Sequence, residues 1–451
     1  MGRRSHSKTL YLWMNGEFVG TWTLNPGGQD VLQYDDAWLS SPHGRPLSLS
    51  LPFKPKNAPQ QGAVVRHYFE NLLPDSRIIR ERVARRFRLG ATDAFTLLSE
   101  VGRDCAGALQ VLSDTAPPKN VKQIDAQVLS EAEVARVLRH LVVPGNLGTQ
   151  DMPAFDDFRL SIAGAQEKTA FLWLNDQWCR PLGSTPTTHI FKLPLGLVGN
   201  LNIDMSHSLE NEWLCLEILR AYGLPVPLAH PLQFEDRKVL AIERFDRLWD
   251  QSNRRRPWIR RLSQEDLCQA TGTAPELKYE SDGGPGIGTI MRLLMASDEP
   301  ERDQRYFFQA QVLFWMLAAT DGHAKNFSVF LKPGGAFNLA PFYDVLSAYP
   351  IMGKGASQLS PFKAKLAMAV RSKNTHWVMR DIARRHWLGV GQAHGVMSTE
   401  GRAVDFVLDE LANRTPDVVH AVKAKLPKDF PYAVSEPIFN GLLAAADRLM
   451  S

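Results

Sequence analysis

The stretch Thr320-Asp321-Gly322-His323-Ala324-Lys325-Asn326, followed downstream by Tyr343-Asp344, decides the fold. It sets two carboxylates, an amide and an imidazole behind an apolar segment, residues 306–319, that reads as a helix. Between the two parts lie the apolar runs Phe327-Ser-Val-Phe-Leu331 and Phe337-Asn-Leu-Ala-Pro-Phe342, separated by Lys-Pro-Gly-Gly-Ala. Two such runs around a Gly-rich turn predict a β-hairpin. With the turn centred near Gly334-Gly335, antiparallel pairing sets Asn326 opposite about Tyr343, so Asp344 returns beside Asn326.

That return points to phosphoryl transfer. In kinase catalytic loops an Asp base stands five positions before an Asn that binds Mg²⁺, and a later Asp completes the metal site. Asp321 and Asn326 reproduce the interval, and Asp344 supplies the later carboxylate. Oxygen ligands from the two ends of one hairpin suit Mg²⁺, a hard cation that keeps several waters and takes further ligands from nucleotide phosphates. Asp321 is then placed to accept a hydroxyl proton from an acceptor. Asp, Gly and Asn also build ordinary turns after helices, so the motif takes its weight from the hairpin and from pieces further upstream.

At 451 residues, 44% hydrophobic and 22% charged, the chain is long enough for two or three globular domains. Residues 306–319 are too few to span a bilayer and include Gln309 and Gln311. No apolar stretch of signal-peptide length follows Arg3-Arg4, and His6 stands where a myristoylation signal needs Ser or Thr; a cytoplasmic protein without a membrane partner is expected. Cys105, Cys179, Cys215 and Cys268 are too scattered for a zinc or disulfide framework. A net charge of +4 does not argue for nucleic acid, and the basic cluster at residues 254–261 reads as a solvated loop.

The order of elements gives an α+β fold. Residues 1–115 form a β-rich N-terminal subdomain, opened by a hairpin around Asn15-Gly16; within it residues 75–87 read as a helix with Ile78, Ile79, Val83 and Phe87 on one face. Residues 116–154 are a linker and a helix, with the polar stretch at 113–122 marking the boundary. Residues 155–250 match a kinase small lobe with a nucleotide loop and hinge: strands at 158–162, 168–174 and 189–193, a helix at 208–222 closed by Gly223, and a strand at 238–242. Residues 251–451 form a mainly α-helical C-terminal lobe carrying the catalytic and metal-binding loops, with a capping-box-like helix start at Ser263-Gln-Glu-Asp266. Gly283-Gly-Pro-Gly-Ile-Gly288 fits neither a P-loop nor a dinucleotide fingerprint and reads as a loop before a helix.

Lys192 stands inside an apolar strand, where a cation needs a partner, and an ATP phosphate is a good one. Glu210, Glu212 and Glu217 on the following helix are each placed to orient this lysine or to face solvent, with no sequence ground to choose. The turn Ser161-Ile-Ala-Gly-Ala-Gln-Glu-Lys168 is able to cover phosphates with backbone N–H groups, because Ala163, Gly164 and Ala165, followed by Gln166, permit close approach. It has one glycine where the protein-kinase loop has three, and a plain hairpin turn accounts for it as well.

At this point the residues resemble a known family, the HipA toxins, serine/threonine kinases of bacterial HipA–HipB toxin–antitoxin modules. The matching stretches run through nearly the whole chain: Arg45-Pro-Leu-Ser-Leu-Ser-Leu-Pro52, Asn71-Leu-Leu-Pro-Asp-Ser76, Leu98-Ser-Glu-Val-Gly-Arg-Asp104, Ser161 to Ala170, Pro186-Thr-Thr-His-Ile-Phe-Lys-Leu-Pro194, Glu243-Arg-Phe-Asp-Arg247, Gln264-Glu-Asp266, Lys278-Tyr-Glu-Ser-Asp-Gly-Gly-Pro-Gly286 and Thr320 to Phe330. The resemblance implies a two-lobed, protein-kinase-like (HipA-like) fold. It implies that Asp321 is the catalytic base, that Asn326 and Asp344 hold Mg²⁺, that Lys192 contacts ATP phosphates, and that the backbone at Glu243 and Phe245 receives adenine. Ser161 matches the serine that such kinases autophosphorylate to switch themselves off, and added negative charge in a loop meant for phosphates fits that role. It further implies a protein substrate, an aminoacyl-tRNA synthetase and notably glutamyl-tRNA synthetase, whose modification halts translation and promotes growth arrest and persistence. The implied partner is a HipB-like helix-turn-helix antitoxin, through which the complex meets and represses operator DNA.

One departure stands out. The catalytic-loop lysine two positions after the Asp of protein kinases is replaced here by His323, with Lys325 four positions after it. His323 either stabilises the transferring group or braces the loop, and a His at this place also occurs in phosphoinositide-type kinases. A lipid or small-molecule kinase is therefore the alternative enzyme, and a catalytically silent co-repressor that binds an antitoxin is the alternative outside enzymes.

Overall fold

A computed structural model describes residues 7–142, 163, 166–199, 201–252 and 257–451. The strand expected at 158–162, together with Ser161, Gly164 and Ala165, lies outside the described residues. The chain divides into two compact units, one of Met1–Leu193, Leu232–Glu276 and Val329–Ala336, the other of Pro194–Pro231, Leu277–Ser328 and Phe337–Ser451.

The first unit holds two sheets. Strands Lys8–Met14 and Glu17–Leu24 pair antiparallel about Asn15-Gly16, both at positive φ as a two-residue hairpin turn demands. Asp30–Tyr34 and Gln60–Gln61 extend this sheet on one side and Leu109–Leu112 on the other. Trp22 stacks on Phe69 with ring centroids 3.7 Å apart, and its indole N–H donates to buried Asp30. The second sheet runs Ala229–Phe234, Arg237–Glu243, His189–Lys192, Lys168–Leu174, Gln177–Pro181, Ala126–Val128. Phe171, Phe191, Phe234, Val239 and Ala241 form its core together with Val134, Ala135 and Leu138 of helix Glu131–Val142.

Three expectations are corrected in this unit. Helix Arg77–Arg86 forms, capped by Ser76, but Ile78 is 66% exposed; only Val83 and Phe87 of the proposed face reach the core. Its arginines are drawn into ion pairs, Arg80 with Glu70 and Arg82 with Glu167. The helix start comes later than Ser263: Gln264–Asp266 is a strand, and Asp266 caps helix Leu267–Ala270. The capping box is completed by Gln269, whose backbone N–H donates to Asp266 while its side chain accepts from the Asp266 N–H. In the basic cluster, Arg261 closes strand Trp258–Arg261 and is buried rather than solvated.

The second unit is mainly helical. Ser208–Ala221 is buried on nearly all sides and ends at Tyr222, with Gly223 left-handed beyond it at φ 91°. Pro300–Met316 is the long apolar helix, entered through Pro300 in its first turn. Val404–Lys423 and Tyr432–Met450 close the chain. The lobe is not purely helical, since Lys365–Arg371 and Thr375–Val378 form a two-stranded sheet. Of the loop expected over Gly283–Gly288, only Gly283 to Gly286 lies before the helix: Ile287 and Gly288 already belong to helix Ile287–Leu294, which Gly286 caps where a Cβ would collide with the Glu280 carboxylate. Among the described residues no helix is long and apolar enough to cross a membrane.

Candidate functional site

Helix Pro300–Met316 delivers the Asp321 turn. It unwinds through Leu317, whose N–H still bonds Leu313, and Ala318, left-handed at φ 51°, after which Ala319 N–H reaches back to the Phe314 carbonyl at 2.7 Å. Ala in that conformation is disfavoured. It is held by Ala348 N–H, which donates to the Ala318 carbonyl at 2.9 Å. Gly322 must be glycine, because a Cβ there would drive into the Phe314 ring.

From this point the loop folds on itself. His323 N–H donates to the Asp321 carbonyl at 2.8 Å, and Ala324–Asn326 closes as a 3₁₀ turn. Asn326, 5% exposed, donates its Nδ2 to the Asp321 carbonyl at 2.9 Å and to the Asp344 carbonyl at 3.4 Å. The amide is thereby oriented, and Oδ1 is its remaining acceptor. Asp321 itself is exposed, while His323 and Lys325 are buried.

The hairpin closes in the expected register. Lys332 N–H donates to the Ala336 carbonyl at 2.7 Å, Ala340 N–H to the Ser328 carbonyl at 2.9 Å, and Tyr343 Oη to the Lys325 carbonyl at 2.9 Å. Past Leu339 the return leg is no longer a strand, and Asp344 adopts φ 59°. Buried Asn211 on helix Ser208–Ala221 clamps the following chain, donating to the Ser347 carbonyl and accepting the Ser347 N–H, each at 2.8 Å. Asp321, Asn326 and Asp344 thus share one hydrogen-bonded knot. Among the described residues no three or more His, Cys, Asp or Glu gather as a ready metal cage. An Asn oxygen and one carboxylate are the oxygen donors that suit Mg²⁺, with phosphates and water filling the remaining positions.

Lys192, Ala163, Gln166, Glu243 and Phe245 stand in the first unit, and Glu210, Glu212 and Glu217 in the second. Lys192, 6% exposed, alternates with core-facing Phe191, and its register partners are Leu240 and Lys168. Two lysines directly opposite on one sheet face repel each other unless an acceptor lies nearby. Lys168 Nζ donates to the Ala163 carbonyl at 2.7 Å, and the Gln166 side chain donates to the Leu193 carbonyl. Glu243, exposed, ends its strand opposite His189, and Phe245 is half-buried with its ring edge-on to Phe330. On helix Ser208–Ala221, Glu217 pairs with Arg220 and Lys425, Glu210 lies 3.8 Å from His207, and Glu212 is fully buried.

Two features were not foreseen. Tyr279 Oη donates to Asp321 Oδ1 at 2.6 Å. Buried Asp104 receives Arg247 at 2.8 Å, Arg244 and Arg261 each at 3.3 Å, and the Thr187 hydroxyl at 2.7 Å. Asp246 receives Arg244 at 2.8 Å, Arg247 at 3.0 Å and the Gly107 N–H at 2.7 Å. Burial works against the charge on Asp104, but Arg247, Arg244 and Arg261 outweigh it and hold the carboxyl well below the usual carboxylate range. Burial, with Arg244 beside it, brings Arg247 down to about 10. The run Glu243-Arg-Phe-Asp-Arg247 therefore spends Arg244, Asp246 and Arg247 on a buried ionic cluster.

Comparison with known proteins identifies the class. Residues 10–112 match the family described as HipA N-terminal domain, and residues 160–419 match the HipA-like C-terminal domain. The chain belongs to the HipA family. It is 33% identical over 376 residues to a Sinorhizobium fredii protein named "Putative kinase Y4mE", covering 82% of each chain. It is 24% identical over 354 residues to the "Serine/threonine-protein kinase toxin HipA" of Shewanella oneidensis, covering 75% of this chain and 73% of that one. The structure of the Shewanella oneidensis HipA, HipB and operator DNA complex contains a chain that superimposes with a TM-score of 0.75 at 21% identity, over 97% of both chains. The fold is HipA-like, with a β-rich N-terminal region and a helical C-terminal end.

Proposed function

We propose that this chain is an ATP- and Mg²⁺-dependent protein serine/threonine kinase, acting as the toxin of a toxin–antitoxin pair in the cytoplasm. The observation that supports the reading most is the bridge from Asn326 Nδ2 to the backbone carbonyls of Asp321 and Asp344, which ties the three residues of the motif to one another. In this reading Asp321 takes the acceptor's hydroxyl proton, and Asn326 and Asp344 hold Mg²⁺. Mg²⁺, when bound, neutralises charge on the phosphates being cleaved. Lys192, buried at the end of strand His189–Lys192, takes ATP phosphates. The backbone at Ala163, Gly164, Ala165 and Gln166 covers the phosphates, and that at Glu243 and Phe245 receives adenine.

Four functional segments are assigned, 1–115, 116–154, 155–250 and 251–451, in the roles given above. The acceptor is a serine on a protein, an aminoacyl-tRNA synthetase, and Ser161 is the autophosphorylation switch. A helix-turn-helix antitoxin is the assigned partner, with operator DNA met mainly through that complex; the name of the Shewanella oneidensis complex supports this pairing. His323, buried with its backbone N–H on the Asp321 carbonyl, supports the bracing role more than direct contact with the phosphoryl group.

Mass spectrometry tests the switch. Intact mass is taken first, because a preparation already phosphorylated at Ser161 would be silent. Unmodified protein incubated with ATP and Mg²⁺ is expected to gain one phosphate at Ser161, and Asp321→Ala to gain none. Phosphate appearing equally in both would remove Asp321 from the reaction.

A further inference from the structure

Residues 278–284 lie against the catalytic turn within the same unit. Tyr279 Oη donates to Asp321 Oδ1 at 2.6 Å, and its ring stands edge-on to His323, with centroids 5.0 Å apart at 86°. One residue earlier, the Lys278 carbonyl accepts the Ala324 N–H at 3.3 Å. The segment is anchored on its far side too. Glu280 accepts the Ala369 N–H at 2.7 Å and pairs with Arg371, also at 2.7 Å, while Gly284 N–H returns to the Tyr279 carbonyl at 2.9 Å. Tyr279 is therefore held at its backbone, at its ring and at its hydroxyl.

An exposed aspartate on a turn samples several rotamers unless something fixes it. A charge-assisted O–H···O⁻ bond of this length is among the stronger hydrogen bonds a side chain makes. We infer that Tyr279 is a positioning residue: its phenol holds one oxygen of Asp321 so that the other faces the acceptor hydroxyl. The inference rests on the kinase reading, in which Asp321 is the base. It assigns a role to the Lys278-Tyr-Glu run, which is to carry the hold on Asp321 across to the sheet Lys365–Arg371. Phosphoryl transfer depends mostly on positioning, so loosening the base is costly even with every other group in place.

The test compares Tyr279→Phe with Tyr279→Ala, using wild type and Asp321→Ala as references. Tyr279→Phe keeps the ring on His323 and removes only the hydroxyl. We expect kcat to fall roughly ten- to a hundredfold in both variants, the loss of one hydrogen bond to a charged group, with KM for ATP within about twofold of wild type. If the ring packing alone mattered, Tyr279→Phe would match wild type while Tyr279→Ala fell, and the inference would be wrong. Phosphate mapped to Tyr279 in the wild type would also overturn it, since the phenol would then be an acceptor. A readout independent of catalysis separates this inference from the reading beneath it: with 3-fluorotyrosine at position 279, the ¹⁹F resonance is expected to move on Asp321→Asn. A resonance that moves in a wild type that transfers no phosphate supports the contact and sinks the kinase reading. An unmoved resonance in an active enzyme sinks the inference alone.

Discussion

The side-chain nitrogen of Asn326 donates to the backbone carbonyl of Asp321 at 2.9 Å, locking together the two ends of a five-residue interval. The same nitrogen reaches the Asp344 carbonyl, so one amide sets both the turn and the return of the hairpin. Replacing Asn326 by Asp puts a carboxylate against two carbonyl oxygens, which repel it. Asn326→Asp and Asn326→Ala are both expected to lower phosphate transfer by on the order of a hundredfold or more, and Asn326→Asp is expected to lower Tm further than Asn326→Ala. Activity and thermal unfolding measured side by side check this, and an active Asn326→Ala would contradict it.

Gly322 meets the Phe314 ring at the place where any other residue carries Cβ. Gly322→Ala is expected to cost about 1–3 kcal/mol of local stability by overpacking. Since Asp321 adjoins it, transfer should fall more steeply than global stability. Hydrogen exchange over residues 317–326, compared with urea unfolding, separates the two effects.

Asp104 is surrounded by Arg244, Arg247 and Arg261, all buried. Removing the carboxylate strands buried positive charge, so Asp104→Ala is expected to cost about 3–5 kcal/mol in urea unfolding. The pH sign follows from the direction of the shift. Because the folded pKa is depressed, the stabilisation is present above the unfolded carboxylate value, about 4, and is lost as pH falls toward the folded value. Wild type should thus show an acid-side loss of stability that Asp104→Ala lacks.

Glu265 behaves in the opposite way. It is buried beside Ser48 and accepts the Leu49 N–H at 2.8 Å, and burial pushes its carboxyl up to about 8. A raised folded pKa means the stabilisation is complete below the unfolded value of 4.5 and lost as pH rises through about 8. Glu265→Gln, neutral at every pH, is expected to flatten that decline. Unfolding free energies measured between pH 5 and 8.5 check the sign; a variant that declines as steeply as wild type would remove Glu265 as the cause.

The hairpin could be read in the sequence because its information is local: a Pro-Gly-Gly turn between two apolar runs fixes the register, and the register carries Asp344 back to Asn326. The burial of Lys192 followed from its apolar neighbours in the same way. What escaped depends on distant partners. Arg261 looked like one charge in a basic run, yet it meets Asp104 from 157 residues away. Tyr279 meets Asp321 across 42 residues, and nothing in either local pattern signals the pairing. The helix start at Asp266 was misplaced by three residues because Ser263 and Asp266 both look like caps; the reciprocal bonds with Gln269 decide between them. In the Arg77–Arg86 helix, periodicity overstated the buried face, since Ile78 faces outward.

The central claim is that the Asp321 loop transfers the γ-phosphate of ATP to protein serines. Its most direct test is to incubate unmodified protein with γ-labelled ATP, Mg²⁺ and a bacterial extract, beside Asp321→Ala, and to count label in phosphoserine. The account predicts labelled serine in one or a few extract proteins with wild type, and none above background with Asp321→Ala or when Mg²⁺ is chelated. Equal labelling by wild type and Asp321→Ala, or no transfer by a preparation shown to carry no phosphate beforehand, would contradict it.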